Sequence, residues 1–241
     1  MGLSLNFYLS ATALLAGIGG GIYFLTEWLW HNRTYKFLLF WAIGLFCLFI
    51  FQIPTILTNA GRHLVLTDFN KFFSIIIPIS FLALVSIYLG ILSLVKPVRK
   101  KVYISFTIWI IASLAYFGFY FWENNVFTSR IPLYGMIILF FLPIHILNLI
   151  AVSRLWAITA SGKSVSYKTG LIFIVFALFC GLARNALFLY GFSVYPPAFW
   201  YLALQYPELF WLQILGIIGV LTGFLLIHKT CLEDRRVSLS L

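Results

Sequence analysis

The amino-acid sequence predicts an all-α integral membrane protein, a bundle of seven transmembrane helices with the N-terminus outside and the C-terminus in the cytoplasm. Of its 241 residues, 63% are hydrophobic and only 9% are charged, and the mean hydropathy is +1.03. Apolar runs of about 20 residues, the length that crosses about 30 Å of hydrocarbon, recur along the whole chain. Because these runs are continuous and do not alternate with polar residues, they exclude a β-barrel.

Each predicted transmembrane helix corresponds to one apolar run, and short loops separate the runs. The predicted helices span residues 7–30, 37–57, 72–95, 103–123, 131–153, 171–193 and 208–228. The first helix is expected to be retained, because no basic residue precedes it and no small-residue cleavage site of a signal peptide follows it. We therefore expect a single transmembrane domain over residues 1–241.

The segment 194–207 connects the last two predicted helices. It contains Tyr195, Pro196, Pro197, Trp200, Tyr201 and Tyr206, and it carries no charge. Aromatic rings of this kind favour the boundary between hydrocarbon and water. The expectation is a short interfacial helix that anchors the outer side of the protein, and the alternative is a lid over an outward cavity.

The loop charges predict the orientation. One side of the predicted bundle carries Arg33, Lys36, Lys96, Arg99, Lys100, Lys101, Arg154, Lys163, Lys168, Lys229, Arg235 and Arg236. The opposite side carries only Arg62, Lys71 and Arg130. Because cytoplasmic loops are enriched in Lys and Arg, the first side is predicted to be cytoplasmic. The net charge of +10 therefore reports topology, and its scattered distribution does not favour a nucleic-acid partner, which requires a contiguous basic face.

Polar side chains in the outer half of the predicted bundle form a candidate binding site. Arg184 is the one formally charged residue well inside a predicted span, where it is expected to face the bundle interior or a cavity. The expected ligand-binding residues are Arg184, Asn185, Tyr116, Tyr120, Glu123, His145 and Asn148, and Gln52 and Gln213 lie in the same half. A guanidinium group offers a bidentate fork to a carboxylate or phosphate, and tyrosines form amphipathic walls.

The same residues also have a structural interpretation, which the sequence supports equally. Arg184 then pairs with Glu123 or Glu208 inside the protein, since buried ion pairs also serve to fix packing. The tyrosines are in that case anchors at the membrane interface, and His145 is a hydrogen-bonded core histidine. Both interpretations place Arg184 in the interior of the bundle.

A second polar cluster is predicted at the cytoplasmic ends of the first and last helices. Glu27 and His31 are four residues apart and His228 and Cys231 are three apart, so each pair shares a helix face. Carboxylate, imidazole and thiolate groups are ligands of zinc, so these four residues form a candidate metal site. The alternative is that the ends of membrane helices simply tolerate polar residues.

Pairs of small residues indicate how these two helices pack. Gly17 and Gly21 in the first helix, and Gly219 and Gly223 in the last, are spaced so that backbones can approach closely. This spacing is consistent with the last helix closing the bundle against the first. If the glycine faces are instead external, they are expected to bind a membrane-protein partner.

Several functional classes lack the residues that they require. No Lys lies in the middle of a predicted span to bind retinal, and facing His pairs for haem b are absent. No Gly-x-Ser-x-Gly, His-Glu-x-x-His or Walker motif occurs, and no carboxylate lies mid-membrane to carry protons. The sequence favours a non-enzymatic protein of the lipid bilayer that binds a small polar or anionic solute from outside, as a uniport-like transporter or a sensor module.

Two other functional classes are alternatives. One is a structural or assembly subunit of a larger membrane complex, whose glycine faces and aromatic side chains pack against protein or lipid. The other is an intramembrane lipid-modifying enzyme that uses the cytoplasmic His and Cys cluster. No cofactor is expected beyond that metal ion. In each case the protein is an integral, multi-pass protein of a cell membrane.

Overall fold

The computed structural model describes residues 5–31, 33–50, 53, 56–57, 66–95, 97–122, 130–159, 162, 164–194 and 207–239. These residues are almost entirely helical, and no β-strand occurs among them. Six of the described helices are long and apolar enough to cross a membrane. This is the architecture of a multi-pass helical membrane protein, as the composition predicts.

The helices follow the predicted spans in order. They are α1 (Leu5–Trp30), α2 (Lys36–Ile50), α3 (Leu66–Val95), α4 (Lys100–Phe117, continued by a π-helical stretch Gly118–Trp122), α5 (Ile131–Gly135, a π-helical stretch Met136–Phe141, and Leu142–Thr159), α6 (Val165–Val194) and α7 (Pro207–Leu239). α6 begins at Val165 instead of residue 171, and α7 continues to Leu239 instead of residue 228. Apolar runs mark only the part of a helix that hydrocarbon covers, so helical turns beyond that part are missed.

α2 differs from the other helices in length. Its apolar part, Lys36–Leu48, is shorter than the about 20 residues that a membrane crossing needs. It is nevertheless well buried, because Leu38, Trp41 and Leu45 are fully enclosed by neighbouring helices. α2 is therefore a central packing element of the bundle.

Glycines bring α6 and α7 into close contact. A Cβ atom on Gly170 would lie 2.8 Å from the carbonyl oxygen of Gly223, and one on Gly223 would lie 2.7 Å from that of Gly170. Gly219 faces Ala177 and the carbonyl oxygen of Phe173. Residue numbers rise along α7 as they fall along α6, so the two helices are antiparallel. Gly219 and Gly223 thus face α6, which corrects the expectation that they face the first helix.

α7 also packs against α1, as the sequence analysis expects. The ring centroid of Phe224 lies 6.1 Å from that of Phe24 on α1 and 4.0 Å from that of Trp41 on α2. One turn earlier, Leu221 fills the space beside Gly20. Residue numbers rise together along α1 and α7, so these helices run in parallel.

The glycine pair of α1 is internal as well. Gly17 and Gly21 are both buried. Gly21 faces α2, because a Cβ atom there would lie 2.8 Å from the ring of Phe46. All four glycines of the two pairs are therefore buried inside this bundle and do not form an external surface for a partner.

The rim of the bundle is apolar. Large exposed side chains on α4 include Ile104, Ile108, Ile111 and Leu114. In water, such a surface would be unfavourable, whereas hydrocarbon chains accept it without cost. The exposed face of α4 is what a lipid-facing helix presents.

The π-helical stretch of α5 has a local cause in the sequence. The amide of Leu142 donates to the carbonyl oxygen of Ile137, five residues earlier, so the turn is wider than an α-helical turn. Pro143 follows directly and has no N–H group to donate to the carbonyl of Leu139. π-Helical turns of this kind are frequent at functional sites.

Candidate functional site

A cavity of ≈ 110 Å³ lies between α2, α3, α5, α6 and α7. The polar side chains that line it are Arg184 and Asn185 of α6, His145 of α5, Gln213 of α7 and Ser80 of α3. The remaining lining side chains are mainly aliphatic. Three of the predicted binding residues, Arg184, Asn185 and His145, are thus brought together around one space.

His145 is oriented by the backbone of its own helix. Its Nδ1 atom lies 2.7 Å from the carbonyl oxygen of Phe141, and a carbonyl only accepts, so Nδ1 donates. In the neutral imidazole the other nitrogen, Nε2, then has a lone pair and accepts hydrogen bonds. This nitrogen lies against Gly181, where any Cβ atom would collide with the ring. Glycine at this position therefore makes room for the imidazole.

Arg184 is partly buried, and its guanidinium carbon lies 5.1 Å from the ring centroid of Phe188. Such a cation–π contact keeps a guanidinium on one side of the aromatic ring. Asn185 follows in the sequence and is buried, with its amide nitrogen 3.5 Å from Nδ1 of His145. The two neighbours on α6 thus present a cation and an amide to the same cavity.

Gln213 contributes a polar group from the opposite helix. Its Nε2 atom is buried and has no hydrogen-bond partner within the described part of the chain. Buried amide donors without a partner are rare in folded proteins, because leaving one unsatisfied costs free energy. This amide lies beside the cavity, and the described residues do not satisfy it.

The cavity is polar at one end and apolar at the other. Arg184 lies two helical turns, about 10 Å, beyond Ala177 along α6. Gln213 lies two turns before Val220 on the antiparallel helix α7, so it is at the same end as Arg184. This polar end is nearer the C-terminus of α6 and the N-terminus of α7.

Tyr116 and Tyr120 lie elsewhere. The hydroxyl group of Tyr116 donates to the carbonyl oxygen of Pro132 at 2.9 Å, and its ring packs against Phe140 and Tyr120 at centroid distances of 5.4 and 4.8 Å. These contacts join α4 to α5. Neither tyrosine lines the cavity, in contrast to the sequence prediction, because α4 packs on the outside of α3 and α5 and does not reach α6.

Asn148 is a packing residue in this structure. It is fully buried, and its amide nitrogen donates to the carbonyl oxygens of Leu84 at 3.1 Å and Ile144 at 2.9 Å. It therefore links α5 to α3. Glu123, Gln52 and residues 195–206 lie outside the described residues, as does the side chain of Glu208.

Gln213 and the apolar lining were not among the predicted binding residues. A signal for Gln213 existed, since it is a polar residue within a span at the level of Arg184. No such signal exists for Ile217 or Val220, because an aliphatic side chain beside a cavity has the same sequence pattern as any core residue.

The second polar cluster does assemble at the ends of α1 and α7. Both imidazoles approach one carboxylate oxygen of Glu27, with Nε2 of His228 at 3.2 Å and Nε2 of His31 at 3.4 Å. His228 is 2% exposed, and the rings of Tyr23 and Phe24 pack edge-on against it. The cluster therefore ties the two parallel helices together.

The metal-site prediction concerned Glu27, His31, His228 and Cys231. The first three meet, and Cys231 is partly buried against an apolar cluster that includes Phe224. Across the described ranges of the chain, no group of three or more His, Cys, Asp or Glu side chains is arranged to hold a metal ion. The geometry is that of a hydrogen-bonded cluster centred on a carboxylate.

Two polar regions thus occupy different ends of the bundle. The region around Arg184 lines a cavity, whereas in the region around Glu27 the polar side chains contact one another. Comparison of the chain with protein-family models, with curated proteins and with solved structures finds no significant match.

Proposed function

We propose that this chain binds a small polar or anionic solute in the cavity lined by Arg184 and acts as a uniport-like transporter. The observation that carries this proposal is the position of Arg184 on a cavity of ≈ 110 Å³ between five helices. A charge at membrane depth is costly, and such residues commonly mark the path of a substrate.

The proposed topology is a bundle of seven transmembrane helices in a cell or cytoplasmic membrane, with the N-terminus outside. Most of the exposed basic residues support it, because they gather at the ends of α1, α3 and α5, at the starts of α2 and α4 and in the last third of α7. These residues are Arg33, Lys36, Arg99, Lys100, Lys101, Arg154 and Lys229. Lys71 is exposed on the opposite side. The polar end of the cavity is the end away from this basic surface, so it faces outward.

Each polar group has a separate part in the proposed binding. Arg184 attracts and orients the anionic group, since its planar fork matches two oxygen atoms of a carboxylate or phosphate. Gln213 donates a further hydrogen bond from the opposite helix. His145 forms part of the wall of the cavity between them.

Transport is favoured over a sensing role by the helices around the cavity. Met136 and Phe141 line it, and they are the first and last residues of the π-helical stretch in α5. π-Helical turns are frequent at functional sites, so this wall is suited to a role in transport. The proposed binding site and the π-helical stretch coincide.

Flux measurements in proteoliposomes test this proposal. The purified chain is expected to give saturable uptake of small anions, and Arg184→Gln is expected to reduce it at least tenfold, with partial recovery in Arg184→Lys. Arg154→Gln is the matched control, since this exposed arginine lies outside the cavity and its loss should leave flux unchanged. Flux that is the same in Arg184→Gln and in the unmodified chain would refute the site.

A further inference from the structure

We infer that the first turns of α2 and α4 form a binding surface for an anionic phospholipid. Its phosphate group lies on the basic side chains of these two turns, and one acyl chain follows the exposed face of α4. In the proposed topology this lipid belongs to the cytoplasmic leaflet. The surface is remote from the polar end of the Arg184 cavity, so the inference goes beyond the proposed function.

The first turns of α2 and α4 lie side by side. The rings of Phe40 on α2 and Tyr103 on α4 are stacked, with their centroids 6.0 Å apart. Both helices are antiparallel to α3, so they run in the same direction. Lys36 precedes Phe40 by four residues, and Lys100 precedes Tyr103 by three. The basic residues of both helices therefore lie about one helical turn from the stacked rings, at the same end of the bundle.

The surface formed by these two turns is strongly basic. Lys36, Arg99, Lys100 and Lys101 are all exposed. Within the described part of the chain, Glu27 is the one acidic side chain, and it contacts two histidines of α1 and α7. No described carboxylate therefore neutralises the four basic groups. Lys and Arg clusters next to a membrane helix attract anionic lipids, with about fivefold in affinity for each residue.

The exposed face of α4 continues from this basic turn as an apolar stripe. Ile104, Ile108 and Ile111 are 49%, 61% and 60% exposed. They follow Lys101 at intervals of three, four and three residues, so they lie on the same face of the helix as this lysine. From Ile104 to Ile111 the stripe is about 10 Å long. A hydrocarbon chain can lie along it, because both surfaces are apolar.

The basic turn lies at the depth of a lipid headgroup. The segment Lys100–Trp122 is long and apolar enough to cross a membrane, so its first residue marks one edge of the hydrocarbon region. The apolar part of α2 likewise begins at Lys36. A phospholipid in this leaflet therefore brings its phosphate group to the basic side chains and its acyl chains to the stripe. A soluble anion would use the charges alone, whereas an anionic phospholipid uses both features.

Native mass spectrometry of the full chain in detergent tests the charge preference. The probes are phosphatidylglycerol and phosphatidylcholine with identical acyl chains, and phosphatidylglycerol is expected to bind at least tenfold more tightly. In the double variant Lys100→Gln and Lys101→Gln this preference should fall at least fivefold. The matched control is Lys168→Gln with Lys229→Gln, which removes two charges from α6 and α7. These helices pack chiefly against each other, α1 and α5, so the control should keep the preference.

Photo-crosslinking in nanodiscs tests the position of the acyl chain. Phosphatidylglycerol with a diazirine group in one chain is expected to label residues 101–114 of α4 more strongly than the exposed face of α6, which includes Ile172 and Phe179. Phosphatidylcholine with the same chain should label both faces to a similar extent. The excess label on α4 should fall at least fivefold in the double variant Lys100→Gln and Lys101→Gln.

Each contrary result would overturn a definite part of the inference. Equal affinity for the two phospholipids, or an equal loss of preference in the control variant, would refute the basic surface of α2 and α4. Displacement of phosphatidylglycerol by an equal concentration of inorganic phosphate would show a site for free anions and refute the lipid. Equal labelling of α4 by both lipids would refute the position of the chain. Arg184→Gln should leave phosphatidylglycerol binding unchanged, so these results are independent of the proposed function.

Discussion

The two polar regions of this bundle differ in what surrounds their charged groups. At the ends of α1 and α7, two imidazole nitrogens lie within 3.4 Å of one oxygen atom of Glu27, and aromatic rings close the space around His228. Around Arg184, polar side chains from four helices line a cavity of ≈ 110 Å³.

This difference separates a packing role from a binding role. Polar groups that satisfy one another stabilise the contact between the elements that carry them, and removing one leaves its partner buried and unsatisfied. Polar groups that line a cavity can bind a molecule from outside the chain, which is the role proposed for the Arg184 region. Changes near Glu27 should therefore affect stability, whereas changes near Arg184 should affect binding.

The largest loss of stability is expected for Glu27→Ala. This change leaves His228, which is 2% exposed, without the carboxylate that it contacts at 3.2 Å, so we expect a loss of about 2–3 kcal/mol in the free energy of unfolding. Thermal unfolding in detergent measures it. His31→Ala should cost less than about 1 kcal/mol, because this side chain is 30% exposed. An equal loss in both variants would contradict the central role of His228.

The next largest effect is expected for Gly181→Ala, which should change both the stability of the bundle and the flux of solute. The added methyl group collides with His145, and we expect a loss of about 1–2 kcal/mol together with at least a tenfold fall in solute flux. In the control variant Gly19→Ala the methyl group meets no atom within 4 Å, so stability and flux should be retained. Unchanged flux in Gly181→Ala would remove His145 from the binding site.

A smaller effect of opposite sign is expected for Gln213→Leu. Replacing a buried amide that has no partner in the described residues should raise the free energy of unfolding by about 1 kcal/mol. Solute affinity should fall at the same time, because the ligand loses a donor. Stability and affinity can be measured on one preparation, by thermal unfolding and by titration. A clear loss of stability would show that Gln213 has a structural role.

The smallest effect is expected for Tyr116→Phe. The variant loses one hydrogen bond, to the carbonyl oxygen of Pro132, so we expect a cost of about 0.5–1 kcal/mol. Solute flux should be unchanged, because Tyr116 joins α4 to α5 and does not line the cavity. If flux falls more than the amount of folded protein does, Tyr116 takes part in the binding site after all.

The helical membrane architecture could be predicted because the bilayer imposes a simple requirement on sequence. About 20 apolar residues per crossing are visible without any knowledge of packing. The ends of α6 and α7 were less predictable, since turns outside hydrocarbon follow ordinary helix propensities. The partners of Gly219 and Gly223 were not predictable either, because a small-residue face does not specify which helix it meets.

The candidate site could be predicted in part for a similar reason. Arg184, Asn185 and His145 are polar residues at membrane depth. Placing a polar side chain there costs free energy, so such residues are rare and easily recognised in the sequence. Depth along a helix can be read from the sequence, but the direction in which a helix face points cannot. Their depth therefore predicts that Tyr116 and Tyr120 lie at the cavity, although Tyr116 faces α5 and neither tyrosine lines the cavity. The apolar end of the cavity has no distinguishing pattern at all.

One pair of variants tests the contrast between the two regions most directly: Arg184→Gln and Glu27→Gln, each unfolded thermally with and without the small anion that gives saturable uptake. In Arg184→Gln the anion should not raise the unfolding temperature, because the guanidinium group that is proposed to bind it is gone. Glu27→Gln should unfold at a lower temperature, because His228 loses its carboxylate partner, and it should keep the full anion-dependent rise. Retention of that rise in Arg184→Gln, or its loss in Glu27→Gln, would contradict the account.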